Sequence, residues 1–543
     1  MDKEVQEAYN RSMDLCNESK FGIALKEIDS AIGSNKDVNN RKKLIELKAK
    51  IFSELNQLQE AIQLLEKEND PSYSTMIENY KKQYEWENSI NPNHPDYKLY
   101  ESFENWIKEY KGRYSKLKLV YYSKDYRGVH ATSTIKKDEV FLRIPEALII
   151  NYKKAKETPL GKKLLISDLE CKEDFLIYLT IFILEARSDK NSFWAPYLKI
   201  IPESVSNFPL FYVKEELDML KGSSILGFIE EATQEYTEQY NLICKEIPEI
   251  KKYSLEDYTK ISVLIVSRVF CVKINQIEEK IVVPYADMFN HHYDRIGQSH
   301  WEYNEESKEF IVTAQKDIPR GDFICENYGI RPNVRFLFYY WFLIEQNRLN
   351  ALYIDLSLDE NDPLVELKKT MLGITGLKIQ KHTYYSFFNQ GENNQFFSCV
   401  RFIVFRGNPE NILKYLSPRP DDITSIDFAK RRIRMPQYSI ENEIKMHEKI
   451  ITIANKHLIL YETTIEEDEK LLKTELTMNK KNIIYLRKCE KQLYNMMKEL
   501  STLSISLLHS TIENLEKHME KIKDKQYAPY VDEVLVELLK YQH

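Results

Sequence analysis

Two short polar strings constrain this chain most. Val283-Pro284-Tyr285-Ala286-Asp287-Met288-Phe289-Asn290-His291-His292 continues the apolar run Ile281-Val282-Val283, and Glu326-Asn327-Tyr328-Gly329-Ile330-Arg331-Pro332-Asn333 follows Phe323-Ile324-Cys325. Each string leaves a strand-like segment and runs into residues that interrupt regular structure. Similar segments occur far upstream, where Leu117 to Tyr122, Gly128 to Thr132 and Val140 to Ile144 alternate around turns. They recur at Trp301-Glu302-Tyr303 and Phe310-Ile311-Val312. From about Lys153 to Phe270 the pattern is helical, rich in Leu, Ile, Glu and Lys. The chain therefore reads as α+β, with strands on both sides of a long helical stretch.

The flanks are helical. Residues 3 to 68 carry apolar positions at spacings of three and four, and Phe21-Gly22-Ile23-Ala24-Leu25 echoes Leu58-Gln59-Glu60-Ala61-Ile62 with its alanine 37 positions later. The echo resembles tetratricopeptide-type hairpins, in which a small residue lets paired helices approach closely. Plain amphipathic helices with an accidental echo explain it equally well. Asn69-Asp70-Pro71-Ser72 ends the last of these helices, and Asn91-Pro92-Asn93-His94-Pro95 is the most turn-rich segment, so a boundary falls before Leu99. Phe103-Glu104-Asn105-Trp106-Ile107 reads as a helix leading into the first strands, and after Asn350 the chain is mostly helical. The expected regions are 1–90, 96–350 with its insertion at about 153–265, and 351–543.

A chain of 543 residues exceeds what one core usually holds. Its 43% hydrophobic and 30% charged residues suit folded domains with a polar surface. A net charge of −7 argues against affinity gained by neutralising phosphates, so no nucleic-acid partner is expected. Cys16, Cys171, Cys244, Cys271, Cys325, Cys399 and Cys489 are scattered, odd in number and never spaced as C-x-x-C. That usage suits reduced thiols in the cytosol or nucleus and argues against structural zinc. Met1-Asp2-Lys3-Glu4 opens no signal peptide, and the apolar run Phe175 to Leu184 is too short to span a bilayer, so no membrane association is expected.

The Asn-His and Tyr-Gly strings together resemble the paired signatures of SET-domain protein methyltransferases of the Rubisco large-subunit methyltransferase type. The resemblance implies that the strings cross in a knot-like arrangement and build the pocket where S-adenosylmethionine meets the target side chain. Asp125-Tyr126-Arg127-Gly128-Val129-His130-Ala131 resembles the Gly-x-Gly-x-x-Ala turn that opens the domain, so Arg127 and Gly128 would face the cofactor's methionine end. Tyr126 replaces the first glycine. In Ser267-Arg268-Val269-Phe270, the arginine would pair with the cofactor's carboxylate, a task suited to a planar guanidinium. Asn290 and His291 would hold the adenine, with Asp287 as a polar support. Metal ligation by His291 and His292 is the rival reading. Adjacent residues on an extended segment face opposite ways, and only Asp287 lies nearby as a further ligand type, so no metal is expected. Lacking a cysteine-rich segment after the Tyr-Gly string, the chain resembles the zinc-free branch.

Tyr328 is the catalytic candidate. Methyl transfer needs two aligned centres and a place for moving positive charge, which a tyrosine hydroxyl at the channel neck can supply. The target amine must arrive uncharged, and an aromatic, partly dry channel favours that form. Phe270, Tyr285, Arg331 and Tyr340 are the substrate-side candidates, although Tyr340 suits a core position equally. Asn191-Ser192-Phe193-Trp194-Ala195-Pro196-Tyr197-Leu198 and Phe208-Pro209-Leu210-Phe211 resemble the family's inserted subdomain and read as packing. Asn333 to Asn347 resembles the family's Asn-x-x-Leu-Leu-x-x-Tyr-Gly-Phe helix and exit, with Trp341 where glycine is usual. A large ring there either narrows the acceptor channel or repacks its rim.

Tyr438 to Glu443, Tyr461 to Leu472 and Leu486 to Lys491 resemble the helical substrate-binding domain of the same enzymes. Glu466 to Glu469 opens a helix with favourable charge at its N-terminus and reads residue by residue as a solvated helix start. The expected function is lysine methylation of a non-histone protein, gripped through the SET cleft and C-terminal domain. The N-terminal helices are a candidate docking surface for a partner. Histidine methylation is the alternative within the branch; such enzymes hold the imidazole with a polar residue where this chain has Phe270, which favours lysine. A scaffold that has lost its chemistry is the alternative from another class. No dinucleotide-type fingerprint competes, because Gly373-Ile374-Thr375-Gly376 lacks the spacing and a preceding strand.

Overall fold

The computed structural model describes residues 3–509 except 18–20, 35–36, 55–56, 90–95, 115, 124–125, 168, 170–173, 293–296, 330, 380–381, 386–392, 414–434 and 436. The turn-rich 91–95 segment, Cys171 and Ile330 thus lie outside the described residues, as does the chain beyond 509. Two compact units emerge, Met1–Glu203 with Glu238–Gly329, and Ser204–Thr237 with Ile330–His543.

The first unit begins with helices Lys3–Asn17, Phe21–Ser34, Val38–Glu54 and Leu58–Lys67, each packed on the next. Ala24 and Ala61 have no exposed surface, so both echoed alanines sit where helices pack. The Asp70 carboxylate accepts from the Ser72 amide at 2.9 Å and Pro71 starts a tight turn, which stops this run where the sequence breaks. Helix Ser74–Ser89 follows.

The strands of this unit are β1 (Arg113–Tyr114), β2 (Leu117–Ser123), β3 (Tyr126–Ala131), β4 (Val140–Pro145), β5 (Val269–Ile274), β6 (Ile277–Val282), β7 (Asn290–His291), β8 (Ser299–Asn304), β9 (Glu309–Ala314) and β10 (Cys325–Glu326). One antiparallel sheet has the order β1-β4-β9-β8, while β2 with β3 and β5 with β6 form antiparallel pairs. Distant segments thus share one sheet, and the buried Phe141, Leu142, Ile144, Phe310 and Val312 hold it. Glu309 ties three strands together by accepting from Arg113 at 2.8 Å and Arg143 at 3.4 Å.

The insertion is helical, but less of it than the sequence suggests. Helix Phe175–Ser188 buries every residue from Ile177 to Leu184, as its apolar run requires. Helix Leu255–Val266 starts at a Ser254–Asp257 capping box. It ends before Arg268, and Val269–Ile274 is a strand, which corrects the expectation of helix to Phe270. The alternating run Val269-Phe270-Cys271-Val272 carries the β signal that the preceding leucine-rich stretch masked.

The second unit pairs the long helices Ile440–Leu458 and Met478–Leu508. It also holds β11 (Ala351–Ile354) antiparallel to β12 (His382–Tyr385), which the mostly helical expectation passed over. Each strand has only four residues, too few for periodicity to separate strand from helix. The acidic run is also less solvated than expected. Thr464 and Glu467 form a capping box, but Asp468 is fully buried between Arg487 and Lys491, at 2.6 and 2.7 Å. Trp341 ends helix Asn333–Tyr340 with φ +57° and ψ +19°, the left-handed conformation that favours glycine. Its carbonyl accepts from Asn482 Nδ2 at 3.1 Å.

Candidate active site

Two residues of strand on each side bring the polar strings together. β7 and β10 run parallel, Asn290 opposite Cys325 and His291 opposite Glu326. β3 closes the group, because the Ile324 amide donates to the Val129 carbonyl at 2.8 Å and His130 pairs with Phe323.

Within this frame Asn290 Nδ2 donates to the Arg127 carbonyl at 2.7 Å, fastening the first string to the opening turn. Gly128 follows, and a Cβ there would stand 2.7 Å from Phe323 Cε1 and 3.0 Å from Asn290 Nδ2. Glycine is thus demanded by close packing, whatever the missing first glycine does. The Arg127 side chain is engaged elsewhere, donating to the Ile200 carbonyl at 2.6 Å and to Tyr100 Oη at 3.3 Å.

His291 Nδ1 accepts from the Tyr328 amide at 3.2 Å and lies 3.1 Å from the Glu326 carbonyl. Burial lowers its pKa and keeps the ring neutral. Tyr328 donates its hydroxyl hydrogen to the Phe289 carbonyl at 2.6 Å. That bond fixes the ring and turns the oxygen's remaining lone pairs away from Phe289.

Arg268 and Asp287 form a second group. Arg268 Nη1 donates to Asp287 Oδ2 at 2.8 Å, and Tyr197 donates its hydroxyl to the same oxygen at 2.8 Å. The Asp287 side chain has no exposed surface and that of Arg268 is 14% exposed. Burial alone would lower the arginine's pKa, but Asp287 outweighs it and the net direction is up. Arg268 Nε and Asp287 Oδ1 remain without hydrogen-bond partners among the described residues. Tyr285 precedes this aspartate at φ +82°, a strained conformation for a non-glycine residue.

The substrate-side candidates separate. Phe270 is buried and packs edge-on against Trp301 and Phe310, ring centres 5.7 and 5.1 Å away. Tyr285 is fully buried and stacks on Tyr114 at 4.4 Å and Phe103 at 6.1 Å. That is a packing position. Arg331 and Tyr340 belong to the second unit, where the Arg331 carbonyl accepts from Asn347 at 2.9 Å and Tyr340 lies 6.2 Å from Phe336 and from Phe342. Sequence reasoning missed Tyr197, whose hydroxyl in an apolar string signalled a polar partner. It also missed Glu326, a buried acid two residues before Tyr328 whose Oε1 has no hydrogen-bond partner among the described residues. Burial, and then the nearby Asp287, push its pKa well up. Among the described residues no group of three His, Cys, Asp or Glu side chains is placed to hold a metal, and no helix is long and apolar enough to cross a membrane.

Comparison with known proteins decides the family. Residues 126–329 match the SET domain model, and residues 359–493 match the Rubisco LSMT substrate-binding model. This is a SET-domain protein methyltransferase of the Rubisco LSMT type. The SET match runs from Tyr126 to Gly329 and so encloses the Asn-His string, the Tyr-Gly string as far as Gly329, and the Arg268–Asp287 pair. The structure of the LSMT SET domain bound to lysine and AdoHcy has the same fold, with a TM-score of 0.62 at 20% identity over 76% of this chain and 93% of that one. Rubisco LSMT bound to AdoMet gives 0.60 at 19% identity over the same shares. Curated relatives include the actin-histidine N-methyltransferase of Xenopus tropicalis, 26% identical over 72% of this chain and 67% of that protein. The Homo sapiens enzyme of that name is 25% identical over 80% and 72%. S-adenosylmethionine is the methyl donor of this family, and the residues present suit it. An arginine nitrogen without a partner can meet a carboxylate, and Asn290 and His291 offer amide and imidazole groups beside the Arg127–Gly128 backbone.

Proposed function

We propose that this SET protein methylates the side-chain amine of lysine in a non-histone protein, in the cytosol. The observation that carries the chemistry is the β7–β10 crossing. It couples Arg127, Asn290, His291 and Tyr328 by direct hydrogen bonds. When bound, S-adenosylmethionine supplies a methyl group on a positively charged sulfur. Arg268 would take its carboxylate, and Asn290 with His291 its adenine. Tyr328, held by Phe289, presents oxygen lone pairs that can steady a methyl group carrying partial positive charge.

Phe270 supports lysine as the target. Its apolar ring, set among Trp301 and Phe310, offers imidazole no hydrogen-bond acceptor. Dry aromatic walls instead favour an uncharged amine and attract the alkylated cation by cation–π interaction. The relatives support a second reading. Their names record action on an actin histidine, so the ring nitrogen of a histidine in actin is the alternative target. The C-terminal substrate-binding domain would grip the protein substrate, and the N-terminal helical pairs, TPR-like in their echo, would recruit a partner.

Transfer of label from tritiated S-adenosylmethionine to protein tests the activity. Wild type should label a protein substrate, and Tyr328→Phe should cut turnover by roughly 10²–10³ while cofactor affinity stays within about threefold. Equal loss of turnover and affinity would contradict the role given to Tyr328.

A further inference from the structure

The proposed chemistry leaves the acid of the β7–β10 crossing without a task. Glu326 stands on β10 opposite His291, is 5% exposed, and has an Oε1 with no hydrogen-bond partner among the described residues. Its backbone is tied into the site, because its carbonyl and the Tyr328 amide both lie at His291 Nδ1, at 3.1 and 3.2 Å. Its carboxyl has no such tie. Among the described residues Asp287 is the only charge that acts on it, and that charge is negative.

The titratable groups around Glu326 are Asp287 ahead of β7, His291 on β7 and Tyr328 beyond β10, with Arg268 on the far side of Asp287. Asp287 is matched by Arg268 at 2.8 Å, and Arg268 in turn feels the Tyr328 hydroxyl, so these groups surround one crossing. Burial keeps His291 neutral. The free site therefore carries no net charge while Glu326 holds a proton, the favoured form of a buried acid with no cation nearby. S-adenosylmethionine brings a sulfonium and an ammonium against a single carboxylate, and so a net positive charge. S-adenosylhomocysteine brings none. A positive charge entering a dry site favours the ionised form of a nearby acid.

We propose that Glu326 is the counter-ion of the methyl donor: it gives its proton to solvent when S-adenosylmethionine binds and takes one back after the charge has left with the methylated product. It acts as a positioning residue, through its field. The inference rests on the proposed placement of the cofactor. Calorimetric titration of the full chain with each ligand, in two buffers of different ionisation heat near neutral pH, counts the protons exchanged. Wild type should release about one proton more with S-adenosylmethionine than with S-adenosylhomocysteine. Glu326→Gln keeps the shape but cannot ionise, so it should exchange equal numbers with both. It should bind S-adenosylhomocysteine within about threefold of wild type and lose about tenfold for S-adenosylmethionine. Infrared difference spectra of wild type need no variant: the band of a buried protonated carboxyl should vanish with S-adenosylmethionine and persist with S-adenosylhomocysteine. Equal proton counts in wild type, or a difference that survives Glu326→Gln, would overturn the assignment. A parallel loss of both affinities would make Glu326 a structural group and overturn it too. Failure of wild type to bind either ligand would overturn the cofactor placement, and this inference with it.

Discussion

Asp287 carries more of the site than its place beside two histidines suggests. It holds both Arg268 and Tyr197 with one oxygen while fully buried. Asp287→Asn removes the charge and leaves Arg268 buried without an anion, so it should destabilise the protein by about 3 kcal/mol. Denaturant titration checks it. Gly128→Ala should lose about 1–3 kcal/mol, since its methyl would overlap Phe323 and crowd Asn290. An unchanged denaturation midpoint would refute the packing argument. At this scale much of the site was legible. Arg268, Asn290, His291 and Tyr328 stand in strings whose resemblance named them, and the structure brings Asn290, His291 and Tyr328 together. What could not be read was pairing across distance. Asp287 reaches Tyr197, ninety residues away, and Tyr285 turns inward because a positive φ redirects the chain.

At the scale of elements, sequence periodicity served where it was long. The Phe175–Ser188 helix and the N-terminal helices stand where the pattern put them, whereas β11 and β12 escaped it. Burial of charged groups within helices was also invisible, because a polar residue reads as surface until its partner is known. Asp468 is one case and Glu490 another. Glu490, on the Met478–Leu508 helix, is buried and accepts from the Ser224 hydroxyl and the Tyr461 hydroxyl, both at 3.1 Å. Burial pushes its pKa up to about 7 despite these bonds. A carboxyl raised above its unfolded value stabilises the fold fully below about 4.5 and loses that contribution as pH rises through about 7. Melting temperature should therefore fall between pH 5 and pH 8, and Glu490→Gln should flatten the fall. A variant as steep as wild type would show that other groups set the slope.

For the whole molecule, the resemblance named both domains in the right order, SET and then substrate-binding. The relation of the N-terminal helices to the SET sheet was not legible, because no motif marks it. Arg320, in the turn before β10, donates to Ser53 Oγ at 2.5 Å and lies 5.5 Å from the Tyr80 ring centre. Those helices belong to the same compact unit. Deleting residues 1–95 should lower the melting temperature yet leave S-adenosylhomocysteine affinity within about threefold, because no cofactor candidate lies among them. An insoluble product would make the helices part of the core.

A methyl-transfer centre directed at lysine leaves a mark that can be located on its substrate. The enzyme is incubated with trideuteromethyl S-adenosylmethionine, a cytosolic extract and added actin, and the label is located by peptide mass spectrometry. Label is expected on lysine Nζ and should be lost with Tyr328→Phe. Label on a histidine ring would contradict the target, and no label on any protein despite cofactor binding would contradict the chemistry.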